Sequence, residues 1–430
     1  MRIAHLTAGT SRFYCGTCLR DHALVSELAR LGHDARLIPL YLPLVTEEPD
    51  SDDGCPIFLG GINAYLQQKV PLFRKTPRVL DSLLDSRWLL DQASAWSGMT
   101  SAQDLGELTL AALKGLDGEQ AKEFRRLGEW LEGERPDVIC LSNALLLGFA
   151  PALARATGVP VVCSLQGEEP FLEALPEPWR SQCWSLVAER AREAAALVAV
   201  SETYRERMAE RLQLPAGRIR VVHNGIPLEG YEGLPRRPVA PTVGYLSAMI
   251  PSKGLATLVD AFIVLRERGA VPGARLHVAG TQPPGNLPFV RALQAKLDRA
   301  HVLQDCRFEV DLSRADKLRF LSELSVLSVP ATYGEAFGLY LLEALAAGVP
   351  VVQPESGAFP ELLAITQGGV LCRPHDPEAL AGGLEALLTD PETAQLMGER
   401  GKSAVFQRFS ARHMATAFAT VLEEVRAAAR

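Results

Sequence analysis

Short apolar runs alternate with stretches of helical spacing along most of this chain. In the first half, Ile3–Thr7, Ala35–Tyr41, Asp137–Leu141, Val159–Ser164, Leu197–Ser201 and Ile219–His223 read as strands. Arg20–Leu31 and Ala144–Thr157 read as helices between them, stopped by Gly32 and Gly158. The second half repeats the plan, with strands at Thr242–Ser247, Arg275–Ala279, Arg307–Val310, Leu324–Val329, Val349–Gln353 and Gly369–Cys372. Its helices include Gly254–Arg268 and Pro377–Leu388, and Arg412–Ala429 closes the chain as one long amphipathic helix. Strand, loop, helix, strand is the order of a doubly wound α/β fold, whose ligands bind beyond the carboxyl ends of the strands.

Two segments break the rhythm. From Pro43 to Glu134 the alternation gives way to an acidic turn, a proline-spaced stretch and then helical patterns. This reads as a mostly helical insertion over the mouth of a cleft, the kind of addition that carries selectivity. Pro227 to Pro241 is dense in proline and glycine and separates the two alternating blocks, so it is the expected hinge. The expected organisation is a first domain over residues 1–235 with the insertion at 43–134, a second over 236–408, and a terminal helix over 409–430 crossing back to the first.

A length of 430 residues suits two such domains rather than one core. A hydrophobic content of 47% with 22% charged residues is ordinary for a globular protein. The net charge of −7 and the absence of long like-charge runs argue against binding nucleic acid by phosphate neutralisation. Met1–Thr7 reads as a first strand, too short and interrupted for a signal peptide, and no window approaches the roughly 18 apolar residues of a membrane span. Of eight cysteines, Cys140, Cys163 and Cys372 sit inside apolar segments and read as reduced, buried small hydrophobes. A cytoplasmic protein is the expectation.

The chemistry concentrates in Tyr333-Gly334-Glu335-Ala336-Phe337-Gly338-Leu339-Tyr340-Leu341-Leu342-Glu343. Two carboxylates stand eight positions apart where a loop turns into a helix, with Gly348 and Pro350 as its stop. Amides at such a helix start point at any anion in the crevice. Glu335 cannot bind that anion and is suited to accept hydrogen bonds from hydroxyls, and Glu343 to do so for a second polyol. An anion between two polyols describes a nucleoside diphosphate sugar. The bland alternative is a solvated helix face with a favourable dipole contact.

With Gly334, Phe337, Gly338 and Gly348 around it, the stretch resembles the Glu-x7-Glu motif of the family 4 retaining glycosyltransferases, which have the GT-B fold of two facing Rossmann-like domains. The resemblance covers nearly all of the chain outside Pro43–Glu134. Asn224-Gly225-Ile226 looks like the family's segment before the interdomain linker, and Pro251-Ser252-Lys253-Gly254 like its phosphate-contacting loop. The resemblance implies a glycosyltransferase that takes a nucleoside diphosphate sugar as co-substrate and retains anomeric configuration; no metal or other cofactor is expected. It implies that Glu335 holds the donor sugar's hydroxyls and that Glu343 holds the ribose. Amides around Phe337, Gly338, Leu339 and Tyr340 would meet sugar and phosphate oxygens, and Lys253 the diphosphate as a compact charge. Gly16, after the first strand, would let backbone approach the pyrophosphate from the opposite domain.

Two positions depart from the family's pattern. Ala248 stands where an arginine commonly precedes the phosphate lysine, and Gln166 where a histidine often follows the Val161-Val162 strand. Gln166 can hydrogen-bond a sugar hydroxyl but cannot relay a proton as imidazole does. Arg20 or Arg12 is a candidate replacement for the lost guanidinium, and Glu168 and Glu169 are candidate acceptor-side carboxylates. These departures keep two rivals open: a catalytically weakened nucleotide-sugar-binding protein, and a nucleotide-sugar epimerase or hydrolase.

Other motifs carry less. Cys15-Gly16-Thr17-Cys18 has the setting of a thiol redox motif, but this repeating plan is far larger than a thioredoxin domain, and no second pair stands near to close a zinc site. Asp50-Ser51-Asp52-Asp53 reads as a solvated acidic turn rather than a calcium loop. Lys69, Leu72, Phe73, Arg74, Lys75 and Arg78 form a basic–apolar patch, for which peripheral membrane contact is the less favoured reading beside an ordinary surface. No Gly-x-Gly-x-x-Gly follows any strand, against a nicotinamide cofactor. The acceptor is not legible in these residues.

Overall fold

Five of the six residues of β1 (Arg2–Thr7) are buried, as are all four of β3 (Val138–Leu141) and all five of β4 (Val161–Leu165). Strands buried on both faces are those of parallel sheets covered by helices. The computed structural model describes residues 1–9, 16–41, 102–236 and 238–429. The chain divides into two compact units, one made of Met1–His223 with Met414–Arg430 and one of Asn224–His413.

In the first unit β2 (Asp34–Pro39), β5 (Ala196–Ala199) and β6 (Ile219–Val221) complete a parallel sheet in the order β2-β1-β3-β4-β5-β6. Ile3 pairs in register with Ala35 on one side and Val138 on the other. The chain therefore leaves β1 towards one edge and β3 towards the other, and the crevice above such a reversal is where this architecture binds ligands. The helix Gly16–Arg30 follows β1.

The described part of the Pro43–Glu134 segment is helical, with Ala102–Lys114 and Ala121–Glu134 carrying the chain from β2 past β1 to β3. Phe124, Leu127 and Leu131 recur at helical spacing and are fully buried, and the Phe124 ring stacks on Phe149 with centroids 4.0 Å apart. This face belongs to the unit's core. The acidic turn at Asp50 and the basic patch around Arg74 lie outside the described residues.

The second unit holds β7 (Thr242–Leu246), β8 (Arg275–Gly280), β9 (Cys306–Val310), β10 (Val326–Leu327), β11 (Val351–Pro354) and β12 (Gly369–Cys372). All pairings are parallel, in the order β12-β11-β10-β7-β8-β9. Counted from its own first strand this is the 3-2-1-4-5-6 order of the Rossmann fold, with the reversal between β7 and β10. Asn224-Gly225-Ile226 opens the unit and is stitched to its end: Ile226 N donates to Phe409 O at 3.0 Å and Ala411 N to Ile226 O at 2.8 Å. A side chain at Gly225 would sit 2.2 Å from Ser410 O, so only glycine allows that approach.

The last helix, Ala411–Ala428, buries Met414, Ala415, Phe418 and Leu422. Its Arg426 pairs with Asp137 at 2.8 Å and its Glu424 with Arg220 at 2.9 Å, while Phe418 lies 5.6 Å from the Arg20 guanidinium. One ion pair is exposed and the other only half-buried, so they add little and the buried apolar face holds the helix. Among the described residues no helix is long and apolar enough to cross a membrane.

Truncating Phe124 should test whether Ala121–Glu134 is core. Phe124→Ala is expected to cost about 3–5 kcal/mol of stability, read as a lower urea midpoint with unchanged slope. A loss below about 1 kcal/mol would place this helix outside the core.

Candidate active site

Two loops rise from the strands that flank the reversal in the second sheet, one after β7 and one after β10. They are tied together by backbone: Thr332 N donates to Ser252 O at 2.9 Å, and the Thr332 hydroxyl donates to the same oxygen at 3.2 Å. The β7 loop ends in the short turn Pro251–Lys253, followed by Gly254 at φ 76°. A Cβ on Gly254 would fall 1.8 Å from Pro330 O, so the two loops can close on each other only over a glycine.

This approach brings Lys253 Nζ to 2.6 Å from Glu335 Oε2, with both side chains mostly buried at 19% and 12% exposure. Tyr340 OH donates to the same carboxylate oxygen at 3.0 Å, and Tyr333 OH lies 3.2–3.3 Å from both oxygens. The ammonium also sits 5.1 Å and 5.7 Å from the centres of the Tyr333 and Tyr340 rings, a cation–π setting on two sides. Burial works against the charged lysine, but Glu335 and Tyr333 outweigh it and hold its pKa above the ordinary value. Lys253 is therefore an ammonium throughout the neutral range. Burial first, and then the Glu335 charge, push Tyr333 up to about 12 and raise Tyr340 as well, so both stay phenols that donate to the carboxylate.

Glu335 is fixed from below by a turn that sequence reading passed over. Gly357, at φ 58°, packs so closely that a Cβ there would lie 2.4 Å from Glu335 O and 2.5 Å from its nitrogen, and Ala358 N donates to Glu335 O at 2.9 Å. The only advance signal was Ser356-Gly357 after a strand. Beyond Glu335, Phe337 is buried 6.3 Å from the Phe409 ring, and Gly338 at φ 91° caps the helix Leu339–Ala346. Leu339 and Tyr340 form the first turn of that helix, where amides have no intrahelical acceptor. Glu343 is its fifth residue and pairs with Lys317, Nζ to Oε1 2.7 Å, from the helix Arg314–Glu323. Lys317 was not singled out from the sequence, since nothing in its own segment points to Glu343.

In the first unit Gln166 follows β4 and donates through Nε2 to Ser142 O at 2.6 Å and to Asp21 Oδ1 at 3.3 Å. Ser142 follows β3, and Asp21 lies in the helix that begins at Gly16, so three segments at the reversal of the first sheet meet here. Gly16 itself is exposed at the start of that helix. The loop before it, with Arg12 and Cys15, lies outside the described residues.

Arg20 does not serve as a replacement guanidinium facing a ligand. It is 2% exposed, bonded to Asp21 at 3.0 Å and stacked over Phe418. The Ala248 carbonyl accepts from Tyr245 OH and from Ile250 N, each at 2.9 Å. The two candidate acceptor-side carboxylates separate. Glu168 is buried and accepts from the backbone amides of Ala144, Gln166 and Gly167 and from Tyr204 OH, which makes it a clamp on the loops after β3 and β4. Glu169 is partly exposed and pairs with Arg207 at 3.2 Å; burial raises its pKa despite that partner. Among the described residues no three metal-ligating side chains cluster.

The glycine under Lys253 gives the arrangement its test. Gly254→Ala should lower turnover at least about tenfold, because an alanine at positive φ is strained and its methyl must push the two loops apart. Steady-state kinetics beside a melting curve would show it, and wild-type kcat with a folded variant would contradict the packing.

The chain matches the model of the "Glycosyl transferases group 1" family over residues 234–404 and that of the "Glycosyl transferase 4-like domain" over residues 20–225. It is 30% identical over 294 residues to the glycogen synthase of Mycobacterium tuberculosis (strain H37Rv), covering 67% of this chain and 68% of that protein. With the D-inositol 3-phosphate glycosyltransferase of Mycobacterium marinum it shares 30% identity over 208 residues, 46% of this chain and 42% of that one. Its fold is similar to Anabaena Alr3699/HepE in complex with UDP-glucose, TM-score 0.67 at 17% identity over 99% and 100% of the two chains. It is also similar to sucrose-phosphate synthase from Thermosynechococcus elongatus, TM-score 0.72 at 17% identity over the whole of both chains. Twin parallel sheets with loops converging at each reversal, matched by family models along both halves, mean that the chain belongs to the group 1, GT4-like family of retaining glycosyltransferases, enzymes of GT-B fold that draw on nucleotide-sugar donors.

Proposed function

We propose that this enzyme moves a sugar from a nucleoside diphosphate donor to a hydroxyl-bearing acceptor, with the second unit holding the donor and the first receiving the acceptor. The observation that carries the reading is the Lys253–Glu335 pair at the reversal of a Rossmann-ordered sheet, beside the start of the helix Leu339–Ala346. A diphosphate takes Lys253 and the helix amides, and sugar hydroxyls take Glu335. Glu343 accepts from the ribose, and in the first unit Gln166 and Gly16 are the substrate contacts.

In the transfer the bond between the anomeric carbon and the phosphate oxygen breaks, and the acceptor oxygen bonds to the same face of that carbon. The acceptor's proton passes to the departing phosphate. Negative charge grows on the diphosphate as the bond lengthens, and a fixed ammonium stabilises it without reorganising at the moment of reaction. Ala248 leaves this task without the family's usual arginine, which places more of it on Lys253.

A melting screen against uridine, guanosine and adenosine diphosphate sugars, with UDP-glucose first, tests donor class. Ligand at about 100 times its Kd adds about 2.7 kcal/mol to stability, so one class should raise Tm by a few degrees. No shift with any of the three would reject a nucleotide-sugar site. With the donor in hand, Glu343→Ala should weaken its binding about ten- to a hundredfold by calorimetry with kcat little changed. Glu335→Ala and Lys253→Met should instead lower kcat, the lysine variant by about 10²–10³. Equal Kd and kcat in all three variants would remove the assignment.

A further inference from the structure

The amide of Gln166 is engaged on one side only. Its Nε2 faces Ser142 O at 2.6 Å and Asp21 Oδ1 at 3.3 Å, and each of those atoms is an acceptor. An NH2 group has two hydrogens, one for each. Turning the amide over would set Oε1 against two oxygens, so its orientation follows from chemistry. Oε1 is left over, and among the described residues it accepts no hydrogen bond. The residue's backbone is held too, its nitrogen donating to Glu168 at 3.0 Å.

Asp21 is a firm partner. It is fully buried, with Thr7 Oγ1 at 3.1 Å, Arg20 Nη1 at 3.0 Å and His5 Nε2 at 3.2 Å. Burial alone would raise its pKa, but His5, Arg20 and the Ser142 hydroxyl together hold it below the ordinary value, so the carboxylate stays an acceptor. Thr7 and Arg20 already donate to this carboxylate, one to each oxygen, without Gln166. The contact with Gln166 is what needs a further role.

We infer that Asp21 is a positioning residue: with the Ser142 carbonyl it locks Gln166 so that Oε1 alone faces substrate, selecting a ligand hydroxyl or amide N–H there and disfavouring a carboxylate. The inference rests on Gln166 as a substrate contact in the function proposed above. An imidazole at this position could donate or accept by changing tautomer. A locked amide offers lone pairs only. A sugar carboxylate placed against them would be left without a donor, whereas a neutral hydroxyl would be satisfied.

Two readouts on the full chain test this. In spectra of the ligand-free protein labelled with 15N-glutamine, the Gln166 side-chain NH2 pair is identified by its loss in Gln166→Met. Its hydrogens should exchange with solvent at least about tenfold more slowly than those of exposed glutamines. Asp21→Ala should abolish the protection, and Asp21→Asn, which keeps an acceptor oxygen, should restore part of it. Unprotected hydrogens in the wild type overturn the lock, a result that stands even if Asp21→Ala does not fold. The second readout is kcat/KM for nucleoside diphosphate release from the donor found in the melting screen. Gln166→Met and Asp21→Ala should each lower it about threefold to tenfold, and the double variant no further than the worse single one. Losses that multiply would make Asp21 merely structural and overturn the inference. Unchanged kcat/KM in Gln166→Met beside a positive screen would overturn it alone, leaving glycosyl transfer intact.

Discussion

One buried ion pair organises this enzyme's second unit. Lys253 and Glu335 come from different loops, and neither charge could sit so far from water alone. Each satisfies the other, with Tyr333 and Tyr340 taking up the remaining valence of the carboxylate. In the function proposed above, a phosphate replaces the carboxylate for the lysine, and hydroxyls replace the ammonium for the carboxylate.

Holding that pair is a matter of backbone clearance. Gly254 and Gly357 stand where any side chain would collide with a carbonyl or amide of the neighbouring loop, and both have positive φ. Sheet order does the rest. Because β7 and β10 are adjacent but their chains depart to opposite edges, their loops share one crevice without a helix between them. The first unit repeats the device at β1 and β3 and fills it with a polar network around Asp21 and Glu168. There the carboxylates organise loops and an amide.

The missing arginine at Ala248 is not made good by Arg20, which spends its charge on Asp21 inside the first unit. The cations that stand against the two glutamates of the motif are lysines, Lys253 on Glu335 and Lys317 on Glu343. Lysine is a compact charge without the bidentate fork of a guanidinium. In the function proposed above, substrate orientation would therefore lean on directional groups, namely the carboxylates, the helix amides and the amide of Gln166.

The strands were legible because apolar runs buried on both faces leave a mark that needs no knowledge of neighbours: each of the twelve expected strands overlaps an observed one. The motif from Tyr333 to Glu343 was legible too, since glycine, aromatic and carboxylate spacing at a loop-to-helix turn is local. What the sequence could not disclose was pairing across distance. Lys317 reaches Glu343 from 26 residues away, and Asp21 reaches Gln166 from 145. Nothing in any one segment marks such partners, nor that Glu168 is buried and saturated while Glu169 beside it is not. Local periodicity is written into the chain by side-chain type. Which donor meets which acceptor is decided only when the sheet order brings separate loops to one place.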